Sequence, residues 1–145
     1  MKKSYILAVA AAITFLSGCS KKEDTPPAAA PTTELTATVN SAQQVPTNPS
    51  TATGTFTGTY TTSSSQLTYT VTYQGMTPTI AHIHSGAPGT SGKVEIPFAN
   101  LTSPITGTVV LTAEQADNLL NGRMYVNMHS STYTGGEIRG DIKKK

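Results

Sequence analysis

The chain of 145 residues carries few charges, with ten Lys and Arg residues, eight Asp and Glu residues and a formal net charge of +2. The small basic excess lies at the chain ends, because residues 34–142 contain three basic and six acidic residues. No stripe of Lys or Arg is available for a nucleic-acid backbone to follow, so the composition argues against nucleic-acid binding. The single cysteine, Cys19, excludes an intramolecular disulfide.

The first 18 residues have the pattern of a secretory signal peptide. Lys2 and Lys3 form a short basic start, and the almost wholly apolar run from 5 to 16 is too short to span a bilayer as a helix. The run ends in Leu-Ser-Gly-Cys at 16–19, which resembles the lipobox of bacterial lipoprotein precursors. That resemblance implies cleavage before Cys19 and lipid attachment to it, which makes the membrane an expected partner. The alternative is an ordinary secretory signal with a chance cysteine.

Residues 19–33 combine the expected lipidated cysteine with a tether rich in Pro and Ala, which has too few apolar residues to fold. The sequence thus predicts a lipid-anchored protein of the bacterial cell envelope. Ser20 stands where enterobacterial lipoproteins of the inner membrane carry Asp, so we expect the outer membrane, on either its periplasmic or its surface-exposed side. At the other end, residues 143–145 are three lysines that we expect to form a solvated basic tail.

Short alternating runs rich in Thr occupy most of residues 34–142, separated by Gly, Pro and Asn. In the clearest run, four apolar or aromatic residues from Leu67 to Tyr73 alternate with polar ones. Half-buried strands at this spacing are typical of an all-β antiparallel sandwich or barrel, with Thr on the face open to water. About 110 residues are enough for one such core and too few for two.

One segment, residues 112–122, instead has the pattern of a short helix. Thr112 is a suitable N-cap, and Gln115 three residues later completes a capping box. Gly122 stands where a helix commonly ends in a left-handed conformation. The sequence therefore predicts one short helix within the β domain.

The three histidines of the chain fall on two predicted strands. His82 and His84 form a His-x-His pair whose rings point to the same side of a strand, because side chains alternate between the two faces. His129 ends a second strand, 124–129, on which the Met and Val residues form the core side and His129 points outward. Three imidazoles on one sheet face could bind copper or zinc and leave a fourth position for water or an anion. The alternative is a structural network of hydrogen-bonded histidines.

The strand after the predicted Gly135-Gly136 turn places Glu137 and Arg139 outward, near the His129 face. We expect these two residues to form a structural pair, or to hold an anion near the histidines. No Ser-His-Asp arrangement is legible, and the Gly-rich stretch 86–92 leads into a strand and not into a helix, which argues against phosphate binding. That stretch is predicted to be a flexible loop beside the histidines, and no catalytic residue is predicted.

An ordered set of motifs in residues 34–142 resembles the CHRD domain, a family that occurs as repeats in chordin and singly in bacterial secreted proteins. The matching blocks are residues 35–39, 44–46, 81–89, 92–94, 111–112, 125–129 and 135–140. The resemblance implies an immunoglobulin-like or Greek-key β-sandwich, and it does not imply an enzymatic activity. It favours a non-enzymatic binding module with a surface for a protein or glycan.

A more distant similarity connects the histidines with copper/zinc superoxide dismutases, which are Greek-key sandwiches with a His-x-His strand. The stretch from Gly122 to His129 and the later Arg139 follow in the order found in that family. By this similarity His82, His84 and His129 would match copper ligands, and Arg139 an anion-guiding arginine. The bridging histidine, the other zinc ligands and the disulfide have no counterpart here, so the similarity implies at most a copper-binding protein with weak redox activity.

Overall fold

A computed structural model describes residues 29–145. The predicted signal peptide, Cys19 and most of the predicted tether lie outside these residues. The strands are β1 (Thr32–Asn40), β2 (Thr53–Thr61), β3 (Gln66–Gln74), β4 (Ile80–Ser85), β5 (Val94–Pro97), β6 (Ile105–Val110), β7 (Met124–His129), β8 (Ile138–Asp141) and β9 (Lys143–Lys144), with one α-helix, α1 (Ala113–Leu120). The prediction of an all-β fold with one short helix is confirmed.

Eight of the strands form one continuous sheet in the order β5-β4-β7-β8-β1-β2-β3-β6, with every pair antiparallel. The sheet curls on itself, so side chains from both of its halves meet in one hydrophobic core. Members of this core from the two halves include Phe56, Leu67, Ile83, Val126 and Ile138. Strands β4 and β7 are neighbours in the sheet although β5, β6 and α1 separate them along the chain. Because β4 and β7 pair, the histidines that they carry lie close together.

The predicted alternation accounts for the faces of β2 and β3. Phe56, Leu67 and Val71 are fully buried, whereas the threonines between them form rows on the outer surface. Thr55 and Thr72 lie opposite each other with their hydroxyl oxygens 2.7 Å apart. Opposed β-branched residues pack well on a pleated surface and exchange hydrogen bonds, which explains why a Thr-rich sequence forms this half of the sheet.

Helix α1 begins as its sequence predicts. The Thr112 hydroxyl accepts a hydrogen bond from the Gln115 backbone N–H, and the Gln115 side chain accepts one from the Thr112 N–H, completing the capping box. Gly122 has φ +68°, the left-handed conformation expected after a helix end. In the described part of the chain, no helix is long and apolar enough to cross a membrane.

The C-terminal lysines differ from the predicted solvated tail. Their side chains are exposed, but Lys143 and Lys144 pair with Thr36 and Leu35 of β1, and the Lys145 N–H donates to the Glu34 carbonyl. The reason is that β8 pairs with β1 at one position only, between Asn40 and Arg139, which leaves the backbone groups of the first half of β1 free to pair.

Candidate metal centre

The adjacent strands β4 and β7 bring the three histidines into one cluster. Their register places His84 opposite Tyr125, and Ile80 opposite His129, so His82 lies between the other two histidines. The ring centroid of His82 is 5.2 Å from that of His84 and 5.2 Å from that of His129. One ring nitrogen from each histidine lies within 4.8 Å of the others. The predicted meeting of the three rings is therefore found.

Two of the rings are oriented by backbone carbonyl groups. The Nδ1 atom of His84 lies 3.0 Å from the Gly92 oxygen, and the Nδ1 atom of His129 lies 2.9 Å from the Thr134 oxygen. Because a carbonyl oxygen only accepts, each Nδ1 carries the hydrogen, and each Nε2 is left with a free lone pair. Histidines that bind metal usually donate their other ring N–H to an acceptor that fixes the tautomer in this way.

Three of the four remaining ring nitrogens of the cluster are buried without a partner. Among the described residues, the buried side-chain nitrogen and oxygen atoms that lack a hydrogen bond are His82 Nδ1, His84 Nε2 and His129 Nε2. Buried polar atoms without partners are rare, and each one requires a physical reason. Here all three belong to one cluster.

Burial also keeps two of the rings in the form that binds metal. The pKa of His82 is lowered by its burial and further by the neighbouring His129 and His84. Burial lowers the pKa of His84 as well. The hydrogen bond to Gly92 opposes this decrease, and His129 and Arg139 add smaller decreases. Both imidazoles are therefore neutral at pH 7, and a neutral imidazole offers its lone pair to a metal ion.

Loops cover the sheet face that carries the histidines, whereas the sequence predicts that this face is exposed to solvent. Arg139 is 2% exposed and Glu137 6% exposed, although both were predicted to point outward. The alternation of side chains along the strand does place both residues on the face of the histidines. Residues 86–92 and 41–50 fold over this face and exclude water from it.

The predicted Glu137–Arg139 pair is not formed. Glu137 accepts a hydrogen bond of 2.7 Å from the Ser50 hydroxyl, while Arg139 forms an ion pair of 2.9 Å with Asp141. The other Arg139 donors go to the carbonyl oxygens of Ala87 and Thr90. With its guanidinium engaged on these sides, Arg139 is not placed to guide an anion.

The stretch 86–92, predicted to be a flexible loop, is held in place at both ends and at its middle. The Gly86 N–H donates to the Arg123 carbonyl, Thr90 N–H donates to Ala87, and the Gly92 N–H donates to the Tyr125 hydroxyl at 3.0 Å. We refer to residues 86–92 as the site loop. The sequence does not predict Tyr125 as a functional residue. The alternation of side chains places it on the same strand face as Asn127 and His129, and this is the feature that could have pointed to it.

The cluster is open to solvent beside His82, its half-buried member. A cleft of about 230 Å³ lies against this residue and is lined also by Ile80, Pro97, Phe98 and Leu101.

Comparison with known proteins identifies the family. A family model for the CHRD domain matches residues 35–142, which include most of β1, all of β2 to β8, helix α1 and the three histidines. The chain matches no curated protein and no solved structure. The similarities to bacterial lipoproteins and to copper/zinc superoxide dismutases therefore stay predictions from the sequence. Since the matched residues make up most of the chain, this protein belongs to the CHRD domain family.

Proposed function

We propose that this protein is a non-enzymatic binding module whose ligand is one transition-metal ion, copper or zinc, held by His82, His84 and His129. Membership of the CHRD family supports a non-enzymatic binding role. The observation that carries the choice of ligand is the trio of buried nitrogens without hydrogen bonds. Weak redox activity would be a property of bound copper, and no residue is assigned a catalytic step.

A purely structural histidine network accounts for this geometry less well. In such a network each buried nitrogen would face a hydrogen-bond partner, whereas here three buried nitrogens without one share a single site, and two of them, Nε2 of His84 and Nε2 of His129, are acceptors. A metal cation accepts all three lone pairs at once, which removes the cost of the unpaired acceptors.

The donor set favours copper over zinc in affinity. Three neutral imidazoles suit both ions, and nitrogen sites generally bind Cu²⁺ more tightly than Zn²⁺. Three protein ligands also leave a coordination position for water or a small anion. The carbonyl oxygens of Gly92 and Thr134 hold two of the ligands in their binding tautomer, so the site needs little reorganisation when it takes up the ion.

We further propose that a lipid on Cys19 anchors the module to the bacterial cell envelope, with the outer membrane as the favoured location. The support is the lipobox-like sequence that ends in the only cysteine of the chain. Between Cys19 and Thr32, where β1 begins, an extended tether reaches about 40 Å at the rise of a polyproline-type chain. A domain on such a tether binds metal near the membrane surface.

A titration of the full chain in detergent with Cu²⁺ and with Zn²⁺ tests the metal site. Every protein in the series carries Cys19→Ser, because a free thiol also binds copper. We expect one ion per chain, with tighter binding of Cu²⁺, and loss of this binding in the His82→Ala/His84→Ala/His129→Ala variant. Absence of binding by the parent chain, or equal affinity in parent and triple variant, would refute the proposal. Circular dichroism of the triple variant checks that it is folded.

A further inference from the structure

The ring of Tyr125 lies between a metal-ligand candidate and a buried cation. It stacks on the His84 ring, with centroids 4.9 Å apart and planes 9° apart. The Arg139 guanidinium carbon lies 3.5 Å from the centroid of the same ring. Since β7 runs between β4 and β8, His84 and Arg139 contact the Tyr125 ring from opposite sides. The three side chains form a stack that ends at the metal centre.

Arg139 ties this stack to the site loop. Two of its nitrogens donate to the Asp141 carboxylate, at 2.9 and 3.1 Å, which fixes the plane of the guanidinium. The nitrogens that face the site loop donate to the carbonyl oxygens of Thr90 and Ala87, at 2.7 and 3.3 Å. A planar fork of donors can hold two carbonyl groups at once, a geometry that Lys cannot reproduce.

Gly92 closes the connection between the stack and the ligand. Its N–H donates to the Tyr125 hydroxyl at 3.0 Å, and its carbonyl oxygen accepts from His84 Nδ1 at 3.0 Å. Both peptide groups of this glycine are therefore engaged, one with Tyr125 and one with His84. A displacement of Gly92 would remove the acceptor that keeps the hydrogen on Nδ1 and the lone pair on Nε2.

We propose that Tyr125 and Arg139 are positioning residues for the metal ligand His84, acting through the site loop. Neither residue contacts the metal. Tyr125 sets the angle of the imidazole by stacking and holds the Gly92 carbonyl against Nδ1, and Arg139 holds the rest of the loop in the conformation that makes this possible. The inference rests on the proposed metal binding and names the residues that determine how tightly, and in which geometry, copper is held.

Tyr125→Phe separates this role from packing, because it keeps the ring and the stack and removes only the hydroxyl that holds Gly92. Loss of an outer-shell partner of a metal ligand typically weakens metal binding by about 10–100-fold. We expect Cu²⁺ affinity to fall by about tenfold or more. The electron paramagnetic resonance spectrum of the copper-saturated chain should change its hyperfine splitting, which a merely structural role would leave alone. Both are measured on the full chain with Cys19→Ser.

Tyr73→Phe is the matched control, since the Tyr73 hydroxyl also donates to a loop carbonyl, that of Leu101, without contact to the site loop. Its affinity and spectrum should equal those of the parent. Arg139→Lys keeps the positive charge but loses the planar set of guanidinium donors. It should shift the electron paramagnetic resonance spectrum in the same sense as Tyr125→Phe. If Arg139→Lys fails to fold, Tyr125→Phe alone decides.

The outcomes separate this inference from the proposed function. If the parent binds copper and Tyr125→Phe retains both affinity and spectrum, the positioning role is refuted while the metal site stands. If the parent binds no copper, the proposed function fails and the positioning role fails with it. A weakened affinity with a changed spectrum in Tyr125→Phe, and neither change in Tyr73→Phe, supports the positioning role.

Discussion

A saturating excess of Cu²⁺ should raise the melting temperature of the full chain carrying Cys19→Ser by roughly 10–20 °C. Only the folded protein places the three imidazoles within reach of one ion, so copper stabilises the folded state by mass action. At a thousandfold excess over the dissociation constant this amounts to about 4 kcal/mol. For a domain of about 110 residues, each kcal/mol moves the melting temperature by several degrees. Differential scanning calorimetry with and without copper measures the shift.

The His82→Ala/His84→Ala/His129→Ala variant separates the site from general binding to the chain. Its melting temperature should not rise with copper, and a chelator should return the loaded parent to its metal-free value. An equal rise in parent and variant would show that copper acts elsewhere. A lowered melting temperature in both would show that it prefers the unfolded chain, and either result would contradict the proposed site.

Gly92→Ala should destabilise the fold by about 3 kcal/mol and weaken the metal site with it. A Cβ atom at this position would overlap the carbonyl oxygen of Ser85, the residue that follows His84 in β4. The obstacle is backbone and not the end of a flexible side chain, so either the site loop or the end of β4 must move. Such a movement separates the Gly92 carbonyl from His84 Nδ1. Chemical denaturation and copper titration together measure both effects.

Gly135→Ala is the matched control for this substitution. A Cβ atom at Gly135 meets nothing within 4 Å, and the residue also lies in a loop beside the site, one residue after Thr134. It should change the free energy of unfolding by less than about 0.5 kcal/mol. A Gly92→Ala protein with the stability and copper affinity of the Gly135→Ala protein would contradict the role assigned to the site loop.

The elements of this fold could be predicted because local rules decide them. Alternation of apolar and polar residues indicates β3, and the Thr112 and Gln115 pair indicates the start of α1. The cluster of histidines could be predicted in part, since a His-x-His pair places two rings on one side of a strand whatever the fold. Adding His129 to this pair requires the assumption that its strand lies next to the His-x-His strand. The pairing of β4 with β7 shows that it does.

The environment of the site could not be predicted by the same rules. Periodicity shows which residues share a face of a strand, but it does not show whether a loop covers that face. Periodicity therefore predicts that Arg139 and Glu137 point outward, although the site loop and residues 41–50 bury them. The positions of Tyr125 and Gly92 depend on contacts between segments more than thirty residues apart, such as the hydrogen bond from the Gly92 N–H to the Tyr125 hydroxyl. No local pattern contains that information.

Anomalous diffraction at the copper edge, from crystals of the copper-loaded chain, tests the central claim most directly. The account predicts one copper peak at about 2.0–2.1 Å, the usual metal–imidazole distance, from His82 Nδ1, His84 Nε2 and His129 Nε2, the three buried nitrogens without another partner among the described residues. A peak bound elsewhere on the chain, or hydrogen-bonded histidines with no copper among them in a saturated protein, would contradict it.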